Sequence, residues 1–343
     1  MSATIYDVAK EAGVGIGTVS RFLNNSSQIS EKSKRKVLAA IKALNYQPHT
    51  AAQNLARRRT NTIGCIIPFF ASYFFVELLR GVQKKIMGCK NDLILYSVDF
   101  DLKKEIFLKR VLKERRIDGL LLVSLEIPDE YVEKFVSQKF PIVLVDSFHP
   151  GLDFIKVDNV EGAHIATNHL IELGYKKIAM IDGQLKSVPA RLRLDGFKKA
   201  LKEHRCPFDN RYFVTCDFAD EADGFNKEAG YGAMQQLLDL GEDKPKAVLI
   251  SSDIQAIGAM KAIKERGLKI PQDIAVVGFD DIELASHVGL TTMRQPIISM
   301  GELAVERLMK KISGEEDGTK FQLRFSPQLI VRESCGAKLV RSH

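Results

Sequence analysis

Tryptophan is absent from the chain, and its five cysteines (Cys65, Cys89, Cys206, Cys216 and Cys335) form no C-x-x-C pair. An odd, scattered set argues against a disulfide framework and fits free thiols in a reducing cytoplasm. No apolar run approaches the roughly 18 residues that a membrane span needs, so no membrane association is expected. The opening MSATIYDVAK lacks the basic-then-apolar pattern of a secretory signal, which fits the same compartment. H-E-x-x-H, the Walker P-loop and G-x-S-x-G are all missing. His164 and His169 are five positions apart rather than i, i+4, and His204 and Cys206 have no further ligands beside them. No enzyme activity, metal site or cofactor is therefore expected.

Acidic residues are scarce at one end. Residues 1–59 hold ten Lys or Arg and only three acids, Asp7, Glu11 and Glu31. Their excess of seven equals the net charge of all 343 residues, so the remainder is balanced. A small basic module joined to a neutral body is the electrostatic footprint of a nucleic-acid binder. The length also exceeds what one ordinary core organises, which implies two or three folding units.

Within the basic module, Ile5, Val8, Ala9 and Ala12 recur at helical spacing, predicting a helix over 5–12 that Gly13 ends. A second helix is expected over 16–23, with Val19 and Leu23 facing inward. So short a link makes the pair a helix-turn-helix. A third helix over 31–44 starts at Ser30 as N-cap and buries Val37, Ile41 and Leu44. The second helix is the one such a motif places in the major groove. There Ile16 can meet a thymine methyl, Gly17 permits close backbone approach, and Arg21 can bridge guanine O6 and N7. Thr18, Ser20 and Asn24 suit phosphate oxygens, and Thr4 and Ser30 join them as candidate DNA contacts. The run G-V-G-I-G over 13–17 could suggest a dinucleotide turn, but a helix precedes it instead of a strand and its third glycine comes one residue early.

From Thr62 onward, strand-like runs alternate with helical stretches. Strand candidates cover 63–68, 93–97, 119–123, 142–145, 177–181, 247–250 and 274–278, with helices such as 75–87 and 254–266 between them. This alternation implies parallel sheets with helices on both faces. The length allows two such subdomains about a cleft, and ligands of these folds bind at the C-terminal strand ends.

T-I-Y-D-V-A-K-E-A-G-V-G-I-G-T-V-S-R-F-L-N-N (4–25) and V-L-A-A-I-K-A-L-N-Y-Q-P (37–48) resemble the opening of the lactose/galactose repressor family. Gly15 departs from the family's usual serine, which removes a phosphate contact. Residues 49–59 resemble the family's hinge helix, which folds on the operator. Leu55, followed by Ala56, occupies the position of its minor-groove wedge, beside three arginines suited to phosphates; the alternative is a linker residue packed on the body. V-D-N-V-E-G (157–162), R-L-R-L-D-G-F (191–197), V-V-G-F-D-D (276–281) and L-T-T-M-R-Q-P (290–296) resemble the family's ligand-binding core, itself similar to periplasmic sugar-binding proteins.

The fold so implied is α/β: a small all-α head (1–48), a hinge (49–59), and a core (60–343) of two doubly wound parallel sheets. Its subdomains are expected over about 60–158 and 159–288, with the chain crossing back after 289. The resemblance also implies effector contacts. Arg193 matches an arginine that grips ligand oxygens, and Asp280 an acid that accepts from ligand hydroxyls. Ser252 and Asp253 open a helix after a strand, with Asp253 alternatively an N-cap. Phe218 falls where an aromatic lies under a sugar ring. Tyr73 and Phe74 belong to the first strand-to-helix loop, where one of Phe74 and Phe75 is expected in the core. Asp158 and Gln295 complete the set. The function implied is a homodimeric repressor that binds a palindromic operator in double-stranded DNA and is switched by a sugar or sugar phosphate. A purine or nucleoside stays open as the effector, and a solute-binding protein is disfavoured by the basic head. Only G-A-K-L-V-R-S-H follows Cys335, without heptads, so a dimer is expected rather than a tetramer.

Overall fold

A computed structural model gives the positions of residues 3–23, 28–46, 60–68, 72–89, 91–98, 103–114, 116–217, 221–316 and 318–337. The chain divides into two units, Met1–Asn61 and Thr62–His343. In the first, helix α1 (Ile5–Ala12) begins at a reciprocal cap: Asp7 N donates to Thr4 Oγ1 at 3.4 Å, and Thr4 N donates to Asp7 Oδ2 at 2.8 Å. Gly13 ends it in the left-handed region at φ +60°, which a β-carbon disfavours. Helices α2 (Ile16–Leu23) and α3 (Glu31–Ala43) follow, the latter capped by Ser30 Oγ accepting from Ser33 N. Val8, Val19 and Val37 have no exposed surface and centre a small core with Ala9, Ala12 and Ala40. Each buried valine contributes about 1.5–3 kcal/mol, so this head rests on few side chains.

Among the described residues the second unit holds two sheets. Strands β1 (Thr62–Ile67), β2 (Asp92–Ser97), β3 (Gly119–Val123), β4 (Ile142–Val145), β5 (Asp153–Val157) and β11 (Gln322–Phe325) form the first, wholly parallel, in the order β11-β5-β4-β3-β1-β2. Strands β6 (Ile178–Asp182), β7 (Phe213–Thr215), β8 (Ala247–Ile250), β9 (Ala275–Asp280), β10 (Thr291–Arg294) and β12 (Gln328–Ile330) form the second, in the order β12-β10-β9-β8-β6-β7, with only β12 antiparallel.

Continuous apolar runs suit strands covered on both sides. In the first lobe, Leu121, Val123, Val143 and Val145 face helices α4 (Tyr73–Ile86) and α12 (Ile297–Ser313). Their neighbours Leu120, Leu122, Ile142 and Leu144 face α5 (Lys103–Glu114) and α6 (Asp129–Ser137). The second lobe repeats the plan. Helices α7 (Asn159–Glu172) and α8 (Val188–Glu203) cover one face, and α9 (Lys227–Leu238) and α10 (Asp253–Glu265) the other. The short α11 (Glu283–His287) follows β9.

The chain passes between lobes three times: after β5, between β10 and α12, and between β11 and β12. The crossing expected after 289 falls at Gln295–Pro296. β10 and β12 carry the second lobe beyond the expected limit of 288, because the T-T-M-R run adds a strand beside β9 before the chain leaves.

Candidate functional site

The C-terminal ends of β1, β3, β4, β8 and β9 open onto one cleft between the lobes, which encloses about 570 Å³ with its mouth included. Pro68, Ser124 and Asp146 come from the first lobe, and Ser252 and Asp280 from the second. Arg193, on the second turn of α8, is only 4% exposed. Its Nε donates to Asn159 Oδ1 at 2.8 Å and its Nη1 donates to the Ser251 carbonyl. The guanidinium carbon lies 3.9 Å from the centre of the Phe279 ring. Nη2 stands 3.8 Å from Asp280 Oδ1. Protein groups thus fix one side of the guanidinium fork and aim the other at Asp280.

Two carboxylates from opposite lobes converge on this arginine. Asp146 sits just past β4 at φ +49° and accepts from Ser124 Oγ at 2.8 Å. Asp280 ends β9 at φ +119° and accepts from Gln295 Nε2 at 2.6 Å. Burial pushes both carboxyls above their usual range, that of Asp280 to about 7, and the positive charge of Arg193 opposes the rise in each. Apolar walls complete the cleft. Tyr73, Phe74 and Phe75 come from the start of α4, and Phe225 from the loop before α9. Ser72 and Ser187 cap α4 and α8 without a side-chain cap bond, and both line the cleft. A carboxylate pair, a directed guanidinium, free hydroxyls and ring faces suit a compact polyhydroxylated molecule.

In the head, Ile16 is 43% exposed on the first turn of α2. Arg21 is exposed one turn on, with its Nε donating to the Gly17 carbonyl at 3.1 Å. Gly17 is exposed between them, and Thr18 and Ser20 are half-buried on the same helix.

The family model described as bacterial regulatory proteins, lacI family, matches residues 4–49, and that of the periplasmic binding protein-like domain matches residues 167–335. The ribose operon repressor of Escherichia coli (strain K12) is 38% identical over 340 residues, covering 97% of this chain and all of its own length. The chain belongs to the lacI family. The HTH-type transcriptional repressor PurR of Haemophilus influenzae is 33% identical over 338 residues, covering 97% of this chain and 98% of its own. Among solved structures, the lac repressor dimer bound to operator and the anti-inducer ONPF superposes with a TM-score of 0.82 at 28% identity, covering 98% of this chain and 99% of that one. This lacI-family chain is thus a transcriptional regulator with a DNA-binding domain, and not an enzyme.

Of the effector residues that the resemblance to the family implied, Tyr73, Phe74, Arg193, Ser252 and Asp280 lie on the cleft wall. Asp253 does not. It has no exposed surface, and its carboxylate accepts from Thr292 Oγ1 at 2.5 Å and from Ile282 N at 2.9 Å, tying α10 to β10 and the turn after β9. Nor is it the N-cap, since Ser252 Oγ takes that place. Asp158 caps α7 by accepting from Glu161 N and pairs with Arg324, away from the cleft. Gln295 is 5% exposed and stands behind Asp280. Both Phe74 and Phe75 reach the cleft, although one was expected in the core alone, because Phe75 spans from its wall into the packing of the first sheet. Asn24, Leu55, Ala56 and Phe218 lie outside the described residues. Asp146, Ser124 and Phe225 are cleft residues that the sequence reading missed. The only local signal for Asp146 was its place directly after the apolar run I-V-L-V, at the ligand-facing end of a parallel strand.

Proposed function

We propose that this lacI-family regulator is a cytoplasmic repressor that binds a palindromic operator as a homodimer and releases or tightens its hold when a free saccharide fills the cleft. The observation that carries the saccharide reading is Arg193, fixed by Asn159 and the Ser251 carbonyl and turned to Asp280, in a cleft that Asp146 and aromatic rings also line. Carboxylates accept from ligand hydroxyls, the guanidinium donates to ring or anomeric oxygens, and ring faces take the C–H side of the sugar. A phosphate ester fits less well, because Asp146 and Asp280 line the same cleft and oppose a second anion there. The name of the ribose operon repressor makes ribose the first candidate. A purine is the second, prompted by the similarity to PurR and by a cleft rich in phenylalanine.

The head supplies the DNA arm. One helix-turn-helix buries little surface, so selective binding needs two heads on two half-sites. The coupling between cleft and operator need be only about 1–3 kcal/mol. A duplex selected from random oligonucleotides, titrated at fixed salt with and without ribose, ribose 5-phosphate and hypoxanthine, tests both arms. Ribose is expected to change operator affinity, and ribose 5-phosphate to be without effect. Arg21→Ala is expected to lose about 1–3 kcal/mol of discrimination between operator and random duplex. A response to hypoxanthine alone would replace the saccharide, and failure to select any duplex would overturn the DNA reading.

A further inference from the structure

Asp280 is held in a backbone conformation that side-chain-bearing residues avoid, and so is its neighbour. Asp280 has φ +119° and Asp281 φ +59°, two left-handed residues in succession. Such an elbow persists only where its surroundings over-determine it. Here the restraint on Asp280 comes from the residue at which the chain leaves the lobe, and that on Asp281 from two arginines of the lobe itself. Gln295 N donates to the Asp280 carbonyl at 3.2 Å, and Gln295 Nε2 donates to Asp280 Oδ1 at 2.6 Å. Arg294 Nε and Arg332 Nη2 each bind the Asp281 carboxylate at 2.7 Å. Gln295 is therefore bound to the strained aspartate at both its backbone and its side chain.

Asp280 Oδ1 has two neighbours with opposite roles. On the cleft side stands Arg193 Nη2, and behind it stands the Gln295 amide. The other end of that amide, Oε1, is buried with no hydrogen-bond partner among the described residues. The bond to Asp280 is thus what holds the amide in place. Immediately after Gln295 the chain crosses into the first lobe as α12. That helix is seated on α4 without slack: a β-carbon at Gly81 would lie 2.0 Å from the Ile298 carbonyl oxygen, and one at Gly301 would lie 2.3 Å from that of Leu78. Helix α4 in turn begins with Tyr73 and Phe74 on the opposite cleft wall. A helix pair locked backbone to backbone moves as one body.

We propose that Gln295 is a positioning residue that reports the occupancy of Asp280 to the crossover, so that effector response depends on it more than effector affinity does. A ligand hydroxyl that donates to Asp280 Oδ1 shares that oxygen with the Gln295 amide and weakens the bond the amide makes to it. The amide then loosens its hold on the elbow, and the crossover gains freedom to carry α12 and α4 relative to the second lobe. The ligand itself need not touch Gln295. This inference rests on the proposed control of DNA binding by a sugar in the cleft.

The test compares the full-length wild type with Gln295→Met, which keeps the volume and removes the donor. Ribose binding is read by calorimetry, and affinity for the selected operator duplex is read with and without saturating ribose. In the wild type the ratio of the two operator affinities is expected within about 5–150-fold. In Gln295→Met that ratio should fall towards one, and by a larger factor than either ribose affinity or operator affinity without ribose changes. Should Gln295→Met fail to melt cooperatively, Gln295→Leu replaces it with the same readings, since an aliphatic side chain cannot donate to Asp280. A variant that keeps the wild-type ratio refutes the role of Gln295 and leaves the proposed function intact. A wild type with no ratio to lose refutes both.

Discussion

In the head, Arg21 and the cations Lys32, Arg35 and Lys36 stand in solvent, whereas in the body Arg193 is 4% exposed and Asp280 5%. The two regions use charge for different purposes. An exposed cation has little desolvation cost, and each one that meets a phosphate releases a counterion. A buried charge is costly to hold, and it persists only with partners that fix its geometry. Arg193 has Asn159, the Ser251 carbonyl, Phe279 and Asp280, so it offers direction in place of bulk attraction. The head is built to hold a polyanion, and the cleft, on the proposed reading, to recognise the outline of a neutral molecule.

Salt breaks that comparison most sharply. A dimer making 6–10 phosphate contacts is expected to lose about 10³–10⁵ in operator affinity between 50 and 200 mM salt. Ribose affinity over the same range should stay nearly constant, because buried pairs are screened little. A steep salt dependence of ribose binding by calorimetry would place the ligand on an exposed charged surface instead of in the cleft. Next in size is Arg193→Lys, which keeps the charge and loses the planar fork. Loss of one charge-assisted hydrogen bond, about 1.5–3 kcal/mol, weakens ribose roughly 10–100-fold. Binding to the operator in the absence of ribose should survive this change.

Asp182 carries the same contrast into stability. It has no exposed surface, Gly183 N donates to its Oδ1 at 2.8 Å, and burial pushes its carboxyl up to about 7. A carboxyl raised in the fold keeps its proton where the unfolded chain has already released it. Its contribution is therefore complete below pH 4 and is lost as pH rises through about 7. Asp182→Asn is expected to flatten the part of the fall in body stability that this group causes between pH 4 and 7. Against wild type, its advantage should grow across that window and hold steady above it. Denaturant melts of both proteins at pH 5 and pH 8 give the comparison, and equal stability differences at the two values would contradict it. Asp280, also raised to about 7, leaves a residual slope in the variant.

Legibility in the sequence followed the same division. The bounds of α1 and α2 could be read directly, because Ile5, Val8, Ala9 and Ala12 mark one face of a short helix that Gly13 must end. Strands β1, β3, β4, β8 and β9 announced themselves as continuous apolar runs, since both their faces are covered. β7, β11 and β12 did not: they are three or four residues long, lie at sheet edges and are half-exposed, and even the alternation of Q-L-R-F in β11 is too short to stand out. The cleft was legible only where a resemblance supplied it. Asp146 and Arg193 lie on different lobes, and no spacing along the chain foretells their approach. Asp253 shows the converse, for an acid opening a helix after a strand has the local pattern of a ligand contact, yet Thr292 and Ile282 consume both its oxygens. Local pattern locates the residue, and tertiary packing decides what its side chain meets.

The smallest expected effect tests whether head and body are separate cooperative units. Thr4 Oγ1 accepts from Asp7 N, and the Thr4 backbone N and hydroxyl both donate to the Asp7 carboxylate. These bonds hold that carboxyl below its usual range. Thr4→Ala removes the side-chain half of the box and should cost about 1 kcal/mol. In a body with cores on both faces of two sheets, such a loss would vanish in the noise. In a head whose core is three fully buried valines and three alanines, it is a large share of the whole. Hydrogen exchange should therefore speed up about fivefold throughout α1, α2 and α3, while amides of β3, β4, β8 and β9 keep their wild-type rates, since 1 kcal/mol is a factor of about 5 in an opening equilibrium. Faster exchange in those strands as well would mean that the two units open together, and that the small core of the head borrows its stability from the body.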